Sequence, residues 1–276
     1  MKLRNYFYFS LICILTNLTA LSATPPLTGK YVVLNPGHGY WWSETSSTWT
    51  LQRGNYNGVI EDLENHYTAR HIKNYLEFNG GAGVKPTRDM GPQMEQIHST
   101  IWPASATYAA NQPRWQMDSR YFIQANYYNE NIPFTGYDSS FVTTEINKGW
   151  RARSYYANYC WKTYNQCDCV INLHSNASTN NTIRGISTYY DIDTDPNDPT
   201  PGDYDGGNLS EHTNNINNGN MARFARAIHN QIFTTVKNYY KPTWNSAWAD
   251  GWGNHNIVAS IWQYGEVRFP QMPSCM

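Results

Sequence analysis

Short apolar runs that stop at glycine, proline or polar residues predict the strands of a sheet. Such runs occupy residues 31–35, 82–87, 169–173, 185–190 and 258–264. The first of them, Tyr-Val-Val-Leu-Asn, is rich in β-branched residues and stops at Pro36 and Gly37. It therefore predicts a buried strand that leads into a loop.

Between these runs lie segments whose apolar residues have helical spacing. Apolar positions three and four apart predict helices at about 61–79, 149–165 and 221–236, with 118–128 as a further candidate. In the first helix, Ala69, Ile72 and Leu76 share one face, and glycines follow at 80 and 81, where a helix ends. A strand, a loop, a helix and a second strand in this order build parallel sheets, so the chain is predicted to be an α/β protein.

Two segments lack a clear period. Residues from about 90 to 148 are rich in Tyr, Asn, Gln, Ser and Pro, and we interpret them as an insertion that covers one side of the domain. Residues 191–208 predict an acidic loop dense in Pro and Gly. No internal repeat or low-complexity segment is visible, so one domain is expected.

The first 23 residues have the pattern of a secretory signal peptide. Lys2 and Arg4 precede an apolar stretch at 7–15, and Ala-Leu-Ser-Ala at 20–23 places small residues where signal peptidase cleaves. Polar residues at 16 and 17 end the apolar stretch before it is long enough to span a bilayer. We therefore expect a mature domain of residues 24–276, secreted to the periplasm or outside the cell, with no membrane insertion.

Composition and net charge indicate which classes of partner to expect. The chain is 40% hydrophobic and 15% charged, which is typical of a globular protein. Of 20 basic residues, Lys2 and Arg4 leave with the signal, so 18 remain against 21 acidic residues, a net charge of −3. No overall positive field attracts the protein to nucleic acid, which is therefore not an expected partner.

Export also permits disulfides. The mature chain keeps four cysteines, Cys160, Cys167, Cys169 and Cys275, which allow three pairings. The pair at 167 and 169 lacks the two-residue spacing of zinc ribbons. One or two structural disulfides are expected, with the pairing left open.

Three potential metal ligands stand at comparable places in the predicted fold. His38 follows the first strand, Glu61 begins a helix, and His174 ends the strand at 169–173. Ligands of open α/β sheets gather beyond the carboxyl ends of the strands, so these residues can meet there. Two imidazoles and a carboxylate are a common catalytic zinc set that leaves one position for water.

The sequence around these residues resembles one family. Val-Leu-Asn-Pro-Gly-His-Gly at 33–39 looks like the first strand and loop of the zinc-dependent N-acetylmuramoyl-L-alanine amidases. Glu-Asp-Leu-Glu-Asn at 61–65 and Thr-Arg-Asp at 87–89 resemble the next two motifs. The segment Arg-Ser-Tyr-Tyr-Ala-Asn at 153–158, which resembles the family's helix motif with Ala-Asn, and Ile-Asn-Leu-His-Ser-Asn-Ala at 171–177 follow in the same order. The order of these motifs carries the resemblance, which spans most of residues 24–276.

The resemblance implies a fold, an activity and a cofactor. The fold is an open, twisted, mostly parallel sheet of about six strands with helices on both faces. The activity is hydrolysis of the amide between N-acetylmuramoyl and L-alanine in peptidoglycan, with Zn2+ held by His38, Glu61 and His174. Glu266, in Tyr-Gly-Glu-Val-Arg-Phe at 264–269, is implied as the catalytic base. Asn176 and Arg184, in motifs that match the family, are assigned to substrate binding.

Some features depart from the family. Tyr40, Trp41 and Trp42 stand where small residues are usual, and we assign Trp41 and Trp42 to substrate binding as a hypothesis. The insertion is longer than usual, and the last helix that normally follows the segment of Glu266 has no counterpart before residue 276.

Two other functions are compatible with the same residues. A zinc peptidase or carboxypeptidase could use the same ligands on a different amide. A non-catalytic wall-binding module could keep the fold, although a binder has no physical need for the complete ligand set.

Overall fold

The structure is a computed structural model that describes residues 24–43, 45–56, 58–90, 117–127, 144–175, 186–191, 209–240, 255–260 and 274–276. The strands in these ranges are β1 (Tyr31–Pro36), β2 (Tyr40–Ser43), β3 (Thr48–Leu51), β4 (Asn55–Tyr56), β5 (Val59–Ile60), β6 (Gly83–Pro86), β7 (Cys169–Leu173), β8 (Ile186–Asp191), β9 (His255–Ser260) and β10 (Ser274–Cys275). The helices are α1 (Glu61–Tyr75), α2 (Ser119–Tyr127), α3 (Glu145–Tyr164), α4 (Leu209–Asn217) and α5 (Asn220–Tyr240).

A four-stranded parallel sheet lies at the centre, in the order β10-β7-β1-β6. Val32 of β1 is in register with Val84 of β6 on one side and Cys169 of β7 on the other. The mixed α/β class and the parallel sheet predicted from sequence are confirmed. Within the part of the chain that the structure describes, four strands form this sheet, and β8 and β9 pair with each other in a second, two-stranded parallel sheet.

Hydrophobic side chains cover both faces of the central sheet. On one face Val33 and Val170 pack with Ile123 of α2 and with a buried row of α3 side chains that includes Tyr155 and Tyr156. The other face packs against α1 and α5 through the residues Val32, Leu34, Ile171, Ala69, Ile72, Phe224 and Ile228. Helices on both faces were predicted, and β1 is buried because it supplies alternate residues to both clusters.

The helix ends explain two of the predicted boundaries. A π-helical turn at Leu76–Gly80 continues α1, and Gly81 then adopts a φ of 71°, which favours glycine. Helix α3 begins at Glu145 rather than near 149, because the Thr144 hydroxyl accepts a hydrogen bond from the backbone N–H of Asn147. It ends at Tyr164, and the next residue, Asn165, has a left-handed φ of 52°.

Several short elements were missed by the sequence analysis. The hairpins β2–β3 and β4–β5 and the helix α4 were not predicted. Residues 258–260 of the strand predicted at 258–264 lie in β9 (His255–Ser260), and residues 261–264 lie outside the described residues. The last described strand is β10, which lies beside β7. Two reciprocal backbone hydrogen bonds, of 2.9 and 3.1 Å, join Tyr189 of β8 to Met276 just after β10.

The described residues include all four cysteines of the expected mature chain. No disulfide joins Cys160, Cys167, Cys169 or Cys275 in the structure. Disulfide bonding of the exported chain stays a prediction. Within the ranges given above, no helix has both the length and the apolar character that a bilayer crossing requires.

Candidate metal centre

The three predicted ligands meet at one edge of the central sheet. His38 follows β1 and His174 follows β7, and these strands are parallel neighbours whose carboxyl ends lie at the same edge. Glu61 is the first residue of α1, which packs against β1. Their ligand atoms lie within 4.8 Å of one another, so this group can hold a metal ion.

The distances form an equilateral triangle. His38 Nε2 lies 3.2 Å from Glu61 Oε1, His174 Nδ1 lies 3.2 Å from the same oxygen, and the two nitrogens are also 3.2 Å apart. A tetrahedral ion with bonds of about 2.0–2.1 Å separates neighbouring ligand atoms by about 3.3–3.4 Å. The three atoms therefore fit one face of a tetrahedral coordination shell, with the fourth position left for a non-protein ligand.

Glu61 rather than Glu64 belongs to this group. The side chain of Glu61 is buried, whereas Glu64, one turn on, is exposed. Burial raises the pKa of Glu61, but hydrogen bonds with His174 and His38 outweigh that effect and lower the pKa to about 2. The carboxylate is therefore charged at neutral pH, as a metal ligand must be.

The backbone of His38 is in an uncommon conformation that its surroundings hold in place. Its φ is 59°, which costs energy for a residue other than glycine. Arg88 Nη1 and Arg153 Nη2 both donate to the His38 carbonyl, at 3.1 and 2.6 Å. Because Arg88 follows β6 and Arg153 lies on α3, two separate elements position this ligand.

Asp62 fixes the loop on the other side of the ligand. Its carboxylate accepts backbone hydrogen bonds from Gly39, Gln52 and Arg53, at 2.7, 3.0 and 2.9 Å. The side chain is buried, so these bonds are not exposed to competition from solvent. Asp62 therefore ties the His38 loop to the segment after β3, immediately beside Glu61.

Gly37 lets His174 approach the loop. A Cβ at position 37 would lie 2.3–2.6 Å from three atoms of the His174 ring, closer than any real contact. The backbone N–H of Gly37 also donates to the carbonyl of Leu173 at 2.8 Å. Glycine at this position is therefore required by the close packing of one metal ligand against the loop that carries the other.

Besides Glu61 and His174, the side chains of Gln52 and Arg53 contact the imidazole of His38. Gln52 Oε1 lies 3.4 Å from Nδ1, and Arg53 Nε donates to Nε2 at 3.2 Å. If Nδ1 carries the proton and donates to Gln52, Nε2 keeps the lone pair that can bind a metal ion. This tautomer is the one that a metal ion needs.

Of the remaining predicted site residues, three lie outside the described residues and two lie on β2. Asn176, Arg184 and Glu266 lie outside the described residues. Trp41 is half-buried on β2, and Trp42 is 7% exposed with its ring 5.5 Å from that of Trp49. The burial of Trp42 favours packing over stacking on a sugar, so Trp41 is the better candidate of the two for contact with substrate.

Several residues of the centre were not predicted from the sequence. Asp62, Gln52, Arg53 and Arg153 were not singled out, although all four act on His38 or its loop. Asp62 has no distinguishing signal, because an acid in the first turn of a helix is common. Arg153 lies in the segment that resembles the family's helix motif, four residues before Ala157, which was the only signal for it.

Comparisons of the chain with protein-family models, with curated proteins and with solved structures find no match. Function is therefore inferred from the residues and their geometry.

Proposed function

We propose that the protein is a secreted zinc-dependent hydrolase that cleaves the amide bond between N-acetylmuramoyl and L-alanine in peptidoglycan. The observation that carries the proposal is the 3.2 Å triangle formed by His38, Glu61 and His174. The resemblance of the surrounding motifs to the amidases supplies the substrate. Export is directed by residues 1–23.

Zinc is the metal that fits the donors best. Two neutral imidazoles and one carboxylate are a frequent catalytic set for Zn2+, whereas Mg2+ and Ca2+ prefer oxygen ligands. The spacing of the atoms matches tetrahedral bonds of about 2.0–2.1 Å, as zinc forms with nitrogen. One charged carboxylate leaves a centre with net positive charge, which suits the polarisation of a carbonyl.

The described residues supply the orientation that the reaction requires. When bound, zinc lowers the pKa of water to about 7 and polarises the scissile carbonyl. Arg88, Arg153 and Asp62 keep His38 in position, so little reorganisation of the loop is needed during the reaction. Glu266 would take a proton from the attacking water and pass it to the departing amine. Trp41, Asn176 and Arg184 are proposed to contact the substrate.

The β8–β9 pair lies next to the four-stranded sheet. The two hydrogen bonds between Tyr189 and Met276 link the β8–β9 pair to the edge of the four-stranded sheet at β10. We infer that the six strands form one open sheet in the order β9-β8-β10-β7-β1-β6, as the amidase resemblance implies.

Digestion of purified cell wall tests the activity. Protein comprising residues 24–276 is loaded with zinc, incubated with peptidoglycan, and the products are analysed by mass spectrometry. We expect release of intact stem peptides that begin with L-alanine. Shortened stem peptides would instead indicate a peptidase, and tight wall binding with no product would indicate a non-catalytic module.

Glu266→Gln tests the proposed base. The amide keeps the size of the side chain but cannot accept the proton, so we expect turnover to fall by at least about 100-fold. Zinc content, measured on the same sample, should stay unchanged. A loss of zinc together with activity would make Glu266 a ligand and contradict its role as a base.

A further inference from the structure

Arg53 is a cationic side chain that contacts two of the proposed ligands. Its Nε lies 3.2 Å from His38 Nε2 and 3.6 Å from Glu61 Oε2. The guanidinium therefore uses the same histidine lone pair that a metal ion would use.

A metal ion and Arg53 cannot use this lone pair together. An imidazole nitrogen offers one lone pair, and coordination directs it to the metal. When the metal is bound, the Nε of Arg53 loses His38 as its acceptor and keeps only Glu61 Oε2, which at 3.6 Å is beyond ordinary hydrogen-bond distance, and the two positive charges repel each other. The guanidinium must then turn away from His38.

The guanidinium can turn, but its backbone stays in place. The side chain is 52% exposed, which leaves room for another rotamer. The backbone N–H groups of Arg53 and its neighbour Gln52 remain bonded to the buried carboxylate of Asp62. The displaced guanidinium therefore stays within one side-chain length of the metal.

The other arginines of the centre cannot take this role. Arg88 is fully buried and Arg153 is 4% exposed, and both donate to the backbone carbonyl of His38. Among these three arginines, Arg53 alone is largely open to solvent.

We propose that Arg53 forms an anion-binding position beside the bound metal and holds a carboxylate of an acidic peptide substrate. This inference rests on the proposed function, since it assigns a substrate group to the same centre. A guanidinium binds a carboxylate through two parallel hydrogen bonds, which a neutral amide of the same size cannot form. The amide to be cleaved would then be selected partly by a nearby negative charge on its peptide.

A matched pair of ligands tests the assignment without turnover. N-acetyl-alanyl-glutamate and the same dipeptide with both carboxylates amidated are titrated by calorimetry into zinc-loaded protein. The quantity measured is the ratio of the Kd of the amidated ligand to that of the acidic ligand. The variants are Arg53→Gln and, as a control for net charge, Arg226→Gln, which changes an exposed residue of α5.

We expect Arg53→Gln to lower this ratio about 10-fold, since it removes a charge-assisted pair of hydrogen bonds. Arg226→Gln should leave the ratio unchanged, and both variants should keep their zinc. An unchanged ratio in Arg53→Gln, or loss of its zinc, would overturn the assignment. If the wild-type protein digests peptidoglycan and only the ratio fails to change, the proposed function stands and Arg53 has no part in it. If the wild-type protein binds no zinc, both proposals fail.

Discussion

At the scale of single residues, the three members of the candidate metal centre could be predicted, whereas the residues that support them could not. His38, Glu61 and His174 each follow or begin an element that the hydrophobic pattern predicts, so their meeting point follows from the parallel sheet. Asp62 and Arg153 act through backbone groups that are 9 to 115 positions away in sequence, on loops whose path the pattern does not determine. Their roles therefore appear only in the folded chain.

Gly37→Ala tests the close approach of the two ligand segments. The added Cβ would collide with the His174 ring, so either the ring or the loop at position 37 must shift, and we expect the ring to shift and disturb the triangle of ligand atoms. We expect zinc affinity to fall about 10- to 100-fold, as it does when the groups that orient a ligand are lost. Chelator competition measures this affinity.

Gly54→Ala is the matched control for this substitution. The atoms nearest to a Cβ at position 54 would be those of the Tyr56 side chain, at ordinary contact distances of 3.6–3.8 Å. Its zinc affinity should equal that of the wild-type protein. Equal affinity in both variants would show that the loop yields without displacing His174.

At the scale of elements, the length of a strand decided whether it could be predicted from the sequence. Residues 31–35 and 169–173 carry continuous apolar runs, and the strands are found at Tyr31–Pro36 and Cys169–Leu173. Strands β4, β5 and β10 have two residues each, too few for a period of two to be detected. The position of β10 depends on long-range contacts, since the Asn172 side chain donates to the Cys275 carbonyl at 3.0 Å.

Asp62→Asn tests how the first turn of α1 supports the loop. An asparagine has one acceptor oxygen, so its amide group would face at least one of the three backbone N–H donors without accepting from it. We expect the free energy of unfolding to fall by about 1–3 kcal/mol. Urea denaturation of the metal-free protein measures the change.

Glu64→Gln provides the comparison within the same turn of α1. Glu64 is exposed, so the change should alter stability by no more than about 0.5 kcal/mol. If Asp62→Asn is no more costly than Glu64→Gln, the three hydrogen bonds to Asp62 do not stabilise the loop.

At the scale of the whole molecule, the hydrophobic pattern predicted a parallel sheet and the family resemblance implied helices on both of its faces, and both faces are covered. The number of strands in the sheet was harder to predict. The β8–β9 pair meets the central sheet through the residue pair Tyr189 and Met276, and a contact of this kind has no local sequence signal. Disulfides were also hard to predict. The even number of cysteines permits disulfides, but the four cysteines among the described residues form none in the structure.

The reactivity of the thiols tests this packing. Burial raises the pKa of Cys169 and Cys275 to about 12, and it raises that of Cys167 well above its usual value. At pH 8 these thiols are almost wholly protonated, so a disulfide reagent should react at least about 100-fold more slowly with the native protein than with the urea-unfolded protein. Fast reaction of the native protein would contradict the packing, and absence of thiols after unfolding would show that disulfides form.

Zinc binding by single-ligand variants tests the central claim most directly. Equilibrium dialysis followed by elemental analysis gives the zinc bound per chain for the wild-type protein and for His38→Ala, Glu61→Gln and His174→Ala. His71→Ala, at an exposed position of α1, is the control. We predict one zinc ion per chain in the wild-type and control proteins and affinity lowered at least about 100-fold in the other three. Equal zinc content in all five proteins, or none in the wild-type protein, would contradict the assignment of these three residues as a zinc site.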